Sequence, residues 1–377
     1  MSQMRAGALG EIDSVVIKVG TSSITKDDFQ VDSEFMDSVA RQVKWIRSRG
    51  MEAIVVTSGA IGIGLDAMKV RPKPNEVPIR QAAASVGQSI LMQKWNESFE
   101  KVGLKVAQVL LTYDFYSERV RYLNVRNTLN TLLEHGVVPI INENDAVCIK
   151  EIEAVFGDND TLSAMVASKL DSDLLIILSD VDGLYDRNPK IHEDASLISE
   201  VHAIDEHIEA FAGKPTTTKG VGGMRTKIQA ARICNMAGCH MVIANHSIED
   251  VIIRVIQGEE IGTLFVADGE VRRIRTRWIL LAHSNGTIDV DEGARKALTE
   301  RHLGLLPSGV KGVEGTFKRG DVVDIRCDGT VFAKGITDYD HEELRKVKGV
   351  HSNRIESILG YKNYDNVVKG GNIAILH

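Results

Sequence analysis

The stretch SVVIKVG, residues 14–20, is a short run rich in β-branched residues that ends at a glycine, and MEAIVVTSGA, residues 51–60, repeats this pattern. β-branched runs of this length are typical of strands. Between them, Asp32 is a residue type that caps helices, and Gly50 is one that ends them. Four apolar residues recur at the spacing of one helical face: Phe35, Val39, Val43 and Ile46. The order strand, helix, strand predicts a βαβ unit.

The same alternation of apolar runs and helical patterns continues along the chain. Further strand-like runs are KVAQVLLT at residues 105–112, VVPIINEND at 137–145, DLLIILSD at 173–180 and HMVIANH at 240–246. The stretch YLNVRNTLNTLLEHG, residues 122–136, has a helical pattern. Nearly continuous apolar strands that alternate with amphipathic helices indicate a mostly parallel sheet with helices on both faces. The predicted fold class is therefore α/β, a three-layer sandwich.

The sequence changes character after IGTLF, residues 261–265. Glycines become frequent, and short β-like runs such as GTIDVD, DVVDIRC and TVFAKGI follow one another closely, which is typical of a small β-rich domain. We therefore predict a boundary near Arg275, with one domain at residues 1–274 and a second at residues 285–365. A chain of 377 residues is long enough for about two domains, each with its own core.

Charge and composition limit the partners of the chain. Its net charge is -7, but the part from Arg275 onward carries 16 Lys and Arg against 14 Asp and Glu. This small positive excess is far below what tight nucleic-acid binding needs, so nucleic acid is a weak candidate partner. The start of the chain has neither the basic residues nor the apolar run of a secretory signal, and no segment is long enough to cross a bilayer. We expect a cytoplasmic protein without a membrane partner.

The four cysteines lie within apolar stretches and at no spacing that is typical of metal ligands: Cys148, Cys234, Cys239 and Cys327. Buried, reduced thiols are the interpretation that fits, so we predict neither a structural zinc site nor disulfides. The eleven histidines lie mostly in polar loops or in the tail, and none is assigned to catalysis.

Two stretches predict anion sites at the ends of strands, where ligands bind in open α/β sheets. Lys18 lies inside an apolar strand, where a lysine is costly unless an anion or carboxylate pairs with it. The alternative is an edge-strand lysine whose ammonium group reaches water. TSGAIGIG, residues 57–64, offers glycines that let backbone N–H groups approach an anion at the start of a helix. A plain tight turn would look the same, and the spacing matches neither a dinucleotide fingerprint nor a P-loop.

A third candidate site combines acids and amides from two segments, INENDAV at residues 141–147 and GDNDTLSA at residues 157–164. Together they offer seven polar side chains: Asn142, Glu143, Asn144, Asp145, Asp158, Asn159 and Asp160. The alternative is local, because Asp160 or Thr161 would cap a helix. That helix would bury an apolar face of Leu162, Met165 and Val166. Two such clusters after strand-like segments favour a ligand with an ammonium group.

The fourth candidate site is TKGVGGMRTKIQAA, residues 218–231, in which glycines precede a helix with Lys227 in its first turns. Glycines beside a cation suit a phosphate that is enclosed during reaction, and the alternative is an ordinary flexible loop. The four sites together suit phosphoryl transfer, which depends on positioning and on neutralising the phosphoryl oxygens. A carboxylate acceptor is already ionised at neutral pH, so such a reaction needs no general base.

Six of these motifs occur in the order seen in one known family: VIKVGTS, VTSGAIGIG, INENDAV, GDNDTLSA, LSDVDGLYDRNP and GVGGMRTKIQAA. The chain resembles the amino acid kinase family, and its tail from about Asn285 resembles a PUA domain through GTIDVDEGARKAL, LLPSGVKGVEGTFKRGDVV and SNRIESILGY. The resemblance implies transfer of the ATP γ-phosphoryl group to the side-chain carboxylate of L-glutamate. The product would be glutamyl 5-phosphate, in the first step toward proline. Mg²⁺ is expected with ATP, and the sequence identifies no ligands for it.

The resemblance also implies a role for each matching residue. Lys18 and Lys227 would hold the moving phosphoryl group, and Asp160 would orient both lysines. Three residues match positions that bind glutamate: Ser58, Asp145 and Asn159. The nucleotide site would contain Lys18, Ser179, Asp180, Val221, Gly222, Gly223, Met224, Arg225, Thr226 and Lys227. A homo-oligomer with feedback inhibition by proline is implied as well.

Two alternatives to this function stay open. A sister kinase of the same family would act on aspartate, acetylglutamate or UMP, but the PUA-like tail together with INENDAV and GDND argues against it. An RNA-binding or RNA-modifying protein is the alternative from a different class, since PUA domains often serve that role. The weak positive charge of the tail argues against this second alternative.

Overall fold

The computed structural model describes residues 3–10, 12–26, 30–70, 76–112, 119–147, 159–189, 191–192, 194–211, 223–267, 279, 282–301, 303–361 and 364–376. Five residues named above lie outside this range: Cys148, Asp158, Val221, Gly222 and Arg275. The chain divides into two compact units, residues 1–268 and 269–377. The predicted domain limits of 1–274 and 285–365 stay a prediction.

The first unit contains an eight-stranded sheet. Its strands are β1 (Ser14–Val19), β2 (Glu52–Val56), β3 (Lys105–Leu111), β4 (Val137–Glu143), β5 (Leu174–Ser179), β6 (Glu200–Val201), β7 (His240–Asn245) and β8 (Thr263–Phe265). Their order across the sheet is β3-β4-β2-β1-β5-β7-β8-β6. The pairs are parallel except for β7 with β8, which are antiparallel. The predicted α/β class with a mostly parallel sheet is confirmed.

The described helices of this unit are α1 (Gln3–Leu9), α2 (Thr21–Ile24), α3 (Ser33–Ser48), α4 (Ala60–Ala67), α5 (Val77–Glu100), α6 (Arg119–Glu134), α7 (Asn159–Lys169), α8 (Glu206–Phe211), α9 (Met224–Ala237) and α10 (Val251–Ile256). Asp32 caps α3 as predicted, because its carboxylate accepts a hydrogen bond from Phe35 N (3.1 Å). None of the helices within the described ranges is both long enough and apolar enough to cross a bilayer.

Alternate residues of β1 face two different cores, because successive side chains of a strand point to opposite faces of the sheet. Val15, Ile17 and Val19 pack in one core, together with residues of α3, α5 and α10. Val16 packs in the other core, together with residues of α7 and α9. Lys18 differs from Val16 by two positions and therefore points to the same face as Val16. This parity directs the only lysine of β1 toward α7 and α9.

The helices α4 and α5 pack with almost no space between their backbones. A Cβ atom at Gly64 would lie 1.7 Å from the carbonyl oxygen of Ala83, and one at Gly87 would lie 1.9 Å from that of Ala60. No side chain fits at either distance, so both positions require glycine. This contact fixes α5 against the start of α4, which follows the carboxyl end of β2.

The second unit contains a five-stranded sheet. Its described strands and helices are β9 (Gly286–Val290), α11 (Glu292–Glu300), β10 (Val310–Gly315), β11 (Val322–Cys327), β12 (Thr330–Ile336), α12 (His341–Val347), α13 (Ile355–Leu359) and β13 (Ile373–Ile375). The order of the strands across the sheet is β10-β9-β11-β12-β13. Its core contains Ile288, Val323, Ile325 and Leu344. A small β-rich domain after the α/β domain is therefore confirmed.

Candidate active site

The predicted site residues follow neighbouring strands at one edge of the first sheet. Lys18, near the end of β1, is in register with Val56 of β2 and with Ile177 of β5. Because these strands are parallel, the residues after all three meet at the same edge. Ser58 follows β2, and Ser179 ends β5. β1 thus lies between the element that carries Ser58 and the element that carries Ser179.

Two lysines and one carboxylate form a buried cluster at this edge, which we call the charged centre: Lys18, Lys227 and Asp160. Lys18 Nζ lies 2.6 Å from Asp160 Oδ1, and Lys227 Nζ lies 3.0 Å from Asp160 Oδ2. Asp160 is fully buried, and the two lysines are 5% and 8% exposed. Each carboxylate oxygen therefore holds a different ammonium group, and Asp160 sets the spacing between the two.

Local structure explains how these three side chains meet. Asp160 lies in the first turn of α7, whose buried face consists largely of small residues such as Ala164 and Ala167. Lys227 lies in the first turn of α9, which shares a core with α7 and with the Val16 face of β1. Small side chains let both helices approach the sheet closely enough for the lysines to reach one carboxylate.

The two ammonium groups determine the charge state of Asp160. Burial by itself raises the pKa of this carboxyl group, but Lys18 and Lys227 outweigh it and lower the pKa well below its ordinary value. Asp160 is therefore ionised throughout the neutral range. The three side chains of the charged centre together carry a formal charge of +1, which suits a bound phosphoryl group.

Beside the charged centre lies a chain of neutral amide side chains, which we call the amide relay: Gln88, Asn142 and Asn159. Asn159 Nδ2 contacts three oxygens, namely Thr57 O at 2.6 Å, Ser58 Oγ at 2.7 Å and Asn142 Oδ1 at 2.9 Å. Asn142 Nδ2 in turn donates to Gln88 Oε1 at 2.8 Å. The relay connects α5, β4 and the start of α7 to the residues that follow β2.

Backbone groups determine which way two of the three amides of the relay point, those of Asn159 and Asn142. The carbonyl of Thr57 can only accept a hydrogen bond, so it requires the NH₂ group of Asn159 to face it. The N–H of Glu143 can only donate, and it bonds to Asn142 Oδ1 at 2.9 Å, which directs the Asn142 NH₂ group toward Gln88. Ser58 Oγ accepts from Asn159, so its own proton is left to donate to a ligand.

The backbone after β2 is shaped for the approach of an anion. Gly59 has a φ of +97°, in the left-handed region, and α4 begins at the next residue. A Cβ atom at Gly59 would lie 2.9 Å from Ile24 Cδ1. The glycine is therefore required by its conformation and by its packing. The start of α4 presents backbone N–H groups at the same sheet edge as the charged centre.

The predicted nucleotide residues lie on the β5 side of β1. Ser179 Oγ donates to Asp180 Oδ1 at 3.2 Å. Asp182 accepts from Asn245 Nδ2 at 2.7 Å and from the Tyr185 hydroxyl at 3.0 Å. On α9, Thr226 Oγ1 lies 3.1 Å from Asp160 Oδ2 and 2.8 Å from the carbonyl oxygen of Gly223.

The remaining predicted residues lie near this edge or outside the described residues. Asp145 begins a short 3₁₀ turn, Asp145–Val147, two residues after β4 ends. Gly223 precedes α9 in extended conformation, Met224 is half-buried and Arg225 is exposed. Val221 and Gly222 fall outside the described residues.

The local alternative, in which Asp160 or Thr161 caps this helix, is wrong. The helix begins at Asn159, so Asp160 and Thr161 are helical residues and neither is the cap. Leu162 and Met165 are only partly buried, whereas Ala164, Val166 and Ala167 are buried. The reason is the closeness of α7 to its neighbours, since only small side chains fit on the face that packs.

Sequence reasoning missed Gln88, whose signal lies in α5. A glutamine stands there among buried small and apolar residues, Ala83, Ala84, Gly87 and Leu91. A buried polar residue on such a face requires a partner, which is the signal that could have identified it. Gln88 is 9% exposed, and its Nε2 has no hydrogen-bond partner among the described residues.

The residues of the charged centre do not offer a metal site, since both oxygens of Asp160 are occupied by lysines. Asp182 is similarly engaged through both oxygens. Within the described part of the chain, the only group of three close metal-ligating side chains is Glu292, Cys327 and Asp328, in the second unit.

Cys234, Cys239 and Cys327 are buried free thiols. Cys239 N donates to the carbonyl of Cys234 at 3.0 Å across Gly238, which is left-handed at the end of α9. This pattern is a Schellman motif, in which the two flanking side chains normally touch. The closeness of Cys234 and Cys239 is therefore explained by the capping of α9.

Comparison with known proteins links this site to a family. The amino acid kinase family matches residues 13–245, and the PUA domain matches residues 286–359. A glutamate 5-kinase from Methanosarcina mazei is 60% identical over 373 residues, which is 97% of either chain. A glutamate 5-kinase from Caldanaerobacter subterraneus is 44% identical over 364 residues, 96% of this chain and 97% of its own. An isopentenyl phosphate kinase structure from T. acidophilum aligns with 67% of this chain and 99% of its own, with a TM-score of 0.47 and 19% identity.

The family match covers more than half of the chain and includes every residue of the charged centre and the amide relay. The alignments with both glutamate 5-kinases cover almost the whole chain, so the similarity includes both units and is not confined to the second. This chain belongs to the amino acid kinase family and, within it, to the group of the glutamate 5-kinases.

Proposed function

We propose that this protein transfers the γ-phosphoryl group of ATP to the side-chain carboxylate of L-glutamate, which gives L-glutamyl 5-phosphate and ADP in the first step of proline biosynthesis. The use of ATP follows from membership of a kinase family. The observation that carries the proposal is the charged centre, with two lysines held by one carboxylate beside a neutral amide relay. The named relatives support glutamate as the acceptor.

The charged centre would stabilise the phosphoryl group as it moves. Lys18 and Lys227 would contact its oxygens, where negative charge is spread in the transition state. Asp160 holds both ammonium groups in place before the substrate arrives, so they need no rearrangement during the reaction. Asp160 is a positioning residue in this scheme, since both of its oxygens are already used.

The reaction breaks the bond between the γ-phosphorus and the oxygen that bridges it to the β-phosphate. A new bond forms between the γ-phosphorus and one oxygen of the glutamate side chain. That carboxylate is ionised above its usual pKa of about 4.3, so no proton has to be removed from the nucleophile. The electron pair of the broken bond leaves with ADP.

The amide relay would bind the amino acid. Ser58 would donate its hydroxyl proton to a carboxylate oxygen of glutamate, because its oxygen already accepts from Asn159. Asn159, whose NH₂ group faces Thr57 and Ser58, would present Oδ1 to the substrate. Asp145 would pair with the ammonium group of the substrate. With these three roles, the site would select an amino acid by its charged and polar groups as well as by the length of its side chain.

The nucleotide would lie on the opposite side of β1, near Ser179, Asp180 and the start of α9. The proposed nucleotide site includes Lys18 and residues 221–227. Mg²⁺ would accompany the phosphates and neutralise part of their charge. A cytoplasmic location, assembly into a homo-oligomer and inhibition by proline complete the proposal. The RNA-binding alternative is not favoured, because relatives named as kinases match both units.

An acyl-phosphate trap tests this proposal. The purified protein is incubated with ATP, magnesium and hydroxylamine, with glutamate, aspartate or N-acetylglutamate as the only acceptor. We expect hydroxamate with glutamate alone and its loss in Lys227→Ala. Lys101→Ala is the matched control, because Lys101 is an exposed lysine that pairs with Asp37 at the surface. Equal hydroxamate with another acceptor, or none with glutamate from folded protein, would overturn the proposal.

A further inference from the structure

The N-terminal helix α1 is fastened to the first sheet by one buried arginine. Arg5 Nη1 donates to the carbonyl of Ile261 at 2.6 Å, and Nη2 donates to those of Gly262 (2.9 Å) and Ser199. Nε lies 3.8 Å from a carboxylate oxygen of Glu200. The arginine is only 5% exposed. Its guanidinium group therefore joins α1 to the segments that precede β8 and β6.

This burial is costly, so the contacts must be specific. Burial lowers the pKa of Arg5, and the carboxylates of Glu260 and Glu200 oppose that shift. A surface helix of seven residues does not need a buried guanidinium to remain attached, since an apolar residue would serve. Leu9 already does so, because it is 4% exposed and packs in the core. The fork of Arg5 satisfies three backbone carbonyls, which an apolar residue cannot do.

Two of the carbonyls that Arg5 contacts, those of Ile261 and Gly262, belong to a segment that packs closely against β7. Gly262 has a φ of +66°, and a Cβ atom there would lie 1.9 Å from the carbonyl oxygen of Ile243 in β7. Thr263, the next residue, pairs with Ile243 at the start of β8. Since β8 is antiparallel to β7, its first residue lies at the carboxyl end of β7. Arg5 therefore acts at the same sheet edge as the proposed active site.

Thr263 connects this segment to the loop after β5. Its hydroxyl donates to the carbonyl of Ile198 at 2.6 Å and accepts from Leu184 N at 2.8 Å. A Cβ atom at Gly183 would lie 2.5 Å from this hydroxyl oxygen, so the loop is in direct contact with Thr263. Gly262 precedes Thr263 in the chain, and Ser199 follows Ile198. The carbonyl oxygens of Gly262 and Ser199 both accept hydrogen bonds from Arg5.

We propose that Arg5 is a positioning residue for the nucleotide end of the active site. Arg5 holds the carbonyls of Ile261, Gly262 and Ser199, which fixes the position of Thr263. The Thr263 hydroxyl in turn holds Leu184, in the loop that follows Ser179 at the end of β5. The inference rests on the proposed function, which assigns the nucleotide to this loop. The amide relay lies on the other side of β1, so loss of Arg5 affects the nucleotide and leaves the amino acid site unchanged.

The test compares two substitutions in α1. Arg5→Met keeps an unbranched side chain but removes the guanidinium group, whereas Leu9→Ala weakens the packing of α1 without touching the three carbonyls. The Kd of the full-length protein for MgATP is measured by titration calorimetry, and KM for ATP and for glutamate by the hydroxamate assay. All measurements are made at least 10 °C below the unfolding midpoint of the weaker variant, a margin chosen because unfolding rates rise severalfold over about 10 °C.

In Arg5→Met we expect Kd and KM for MgATP to rise about fivefold or more, with KM for glutamate within about twofold of the wild type. Arg5→Lys restores less than half of the loss, because an ammonium group cannot span three carbonyls. Leu9→Ala lowers the unfolding midpoint and leaves both KM values unchanged. The inference is overturned if Arg5→Met changes only the unfolding midpoint, or if it raises both KM values equally.

The calorimetric measurement separates this inference from the proposed function. If the wild type binds MgATP but forms no hydroxamate with glutamate, the proposed acceptor is wrong, and the Kd of Arg5→Met still decides the role of Arg5. If the wild type binds no MgATP, both fail. If MgATP binds equally to wild type and Arg5→Met while hydroxamate forms normally, only the inference about Arg5 fails.

Discussion

The charged centre and the amide relay lie side by side but are held together by opposite kinds of interaction. In the charged centre, two ammonium groups and one carboxylate are buried, and each depends on the charge of the others. In the amide relay no group is charged. A backbone carbonyl or N–H group sets the orientation of Asn159 and of Asn142, and Asn142 in turn donates to Gln88. The charged centre is thus held by attraction between opposite charges, and the amide relay by hydrogen bonds between neutral donors and acceptors.

This difference teaches how each part responds to substitution. Removal of one charge from the charged centre takes an ion-pair partner away from a buried charge, which costs several kcal/mol. Removal of one amide from the relay leaves a buried donor or acceptor without a partner, which costs about 1–3 kcal/mol. Substitutions in the charged centre and in the amide relay are therefore expected to differ in how much stability they remove and in which kinetic constant they change.

The largest effect is expected from Asp160→Asn, which breaks the charged centre. Lys18 and Lys227 would remain buried and would each lose the carboxylate oxygen that they contact, so the free energy of unfolding should fall by about 3–5 kcal/mol. We also expect kcat to fall by about 10²-fold or more, because the lysines lose their fixed spacing. Urea unfolding and the hydroxamate assay measure the two effects.

The matched control is Asp37→Asn, which removes the carboxylate of an exposed ion pair with Lys101. That change should alter the free energy of unfolding by at most about 1 kcal/mol, because exposed pairs contribute little. Equal stability of Asp160→Asn and Asp37→Asn would contradict the idea that the charged centre is a balance of buried charges.

An intermediate effect is expected from Asn159→Ala, which breaks the relay where it meets the substrate. Ser58 loses the donor that orients its hydroxyl group, so KM for glutamate should rise about 5- to 100-fold, with KM for ATP within about twofold. Steady-state kinetics with each substrate varied in turn measure both. Asn235→Ala is the control, since Asn235 Nδ2 also donates to a backbone carbonyl, that of Val266, but in the last turns of α9. A rise in both KM values with Asn159→Ala would argue against a separate amide relay.

A smaller effect is expected from Gln88→Met, which removes the far end of the relay. Asn142 Nδ2 loses its acceptor but Asn142 Oδ1 keeps the N–H of Glu143, so the relay is only loosened. We expect KM for glutamate to rise about two- to tenfold. Gln42→Met serves as control, because Gln42 is also buried and accepts from Ile252 N at 2.8 Å, away from the site. If Gln88→Met and Gln42→Met have the same kinetics, the relay does not extend to α5.

The smallest expected effect is that of pH on kcat near neutrality. The pKa of Asp160 is lowered in the folded protein, so its stabilising contribution is fully present above the unfolded value of about 3.9 and is lost as pH falls from there toward the folded value. Asp160 should therefore add no step to the profile of kcat between pH 5 and 8. Below pH 4, the difference in stability between wild type and Asp160→Asn should shrink. A difference that stays constant from pH 6 to pH 2.5 would contradict this assignment.

Much of the fold follows from local patterns. The apolar runs that precede Gly20 and Thr57 predicted β1 and β2, and the spacing of Val39, Val43 and Ile46 predicted the buried face of α3. These patterns succeed because the period of a strand or helix is a property of a few consecutive residues. The alternative in which Asp160 or Thr161 caps α7 failed, because both residues already lie within the helix. Sequence patterns locate helix ends only to within one or two residues.

By itself, the sequence determined the α/β class, the order of the elements and the positions where polar residues follow apolar strands. It also determined that Lys18 lies in an apolar strand and that Lys227 follows glycines, which is why both were candidates for an anion site. The family resemblance already implied that Asp160 orients both lysines. Only the tertiary structure decided that each oxygen of Asp160 holds a different lysine, and that Gln88 and Arg5 belong to the same sheet edge. The physical reason is that periodicity specifies which face a side chain occupies, whereas the order of parallel strands specifies which distant residues share that face.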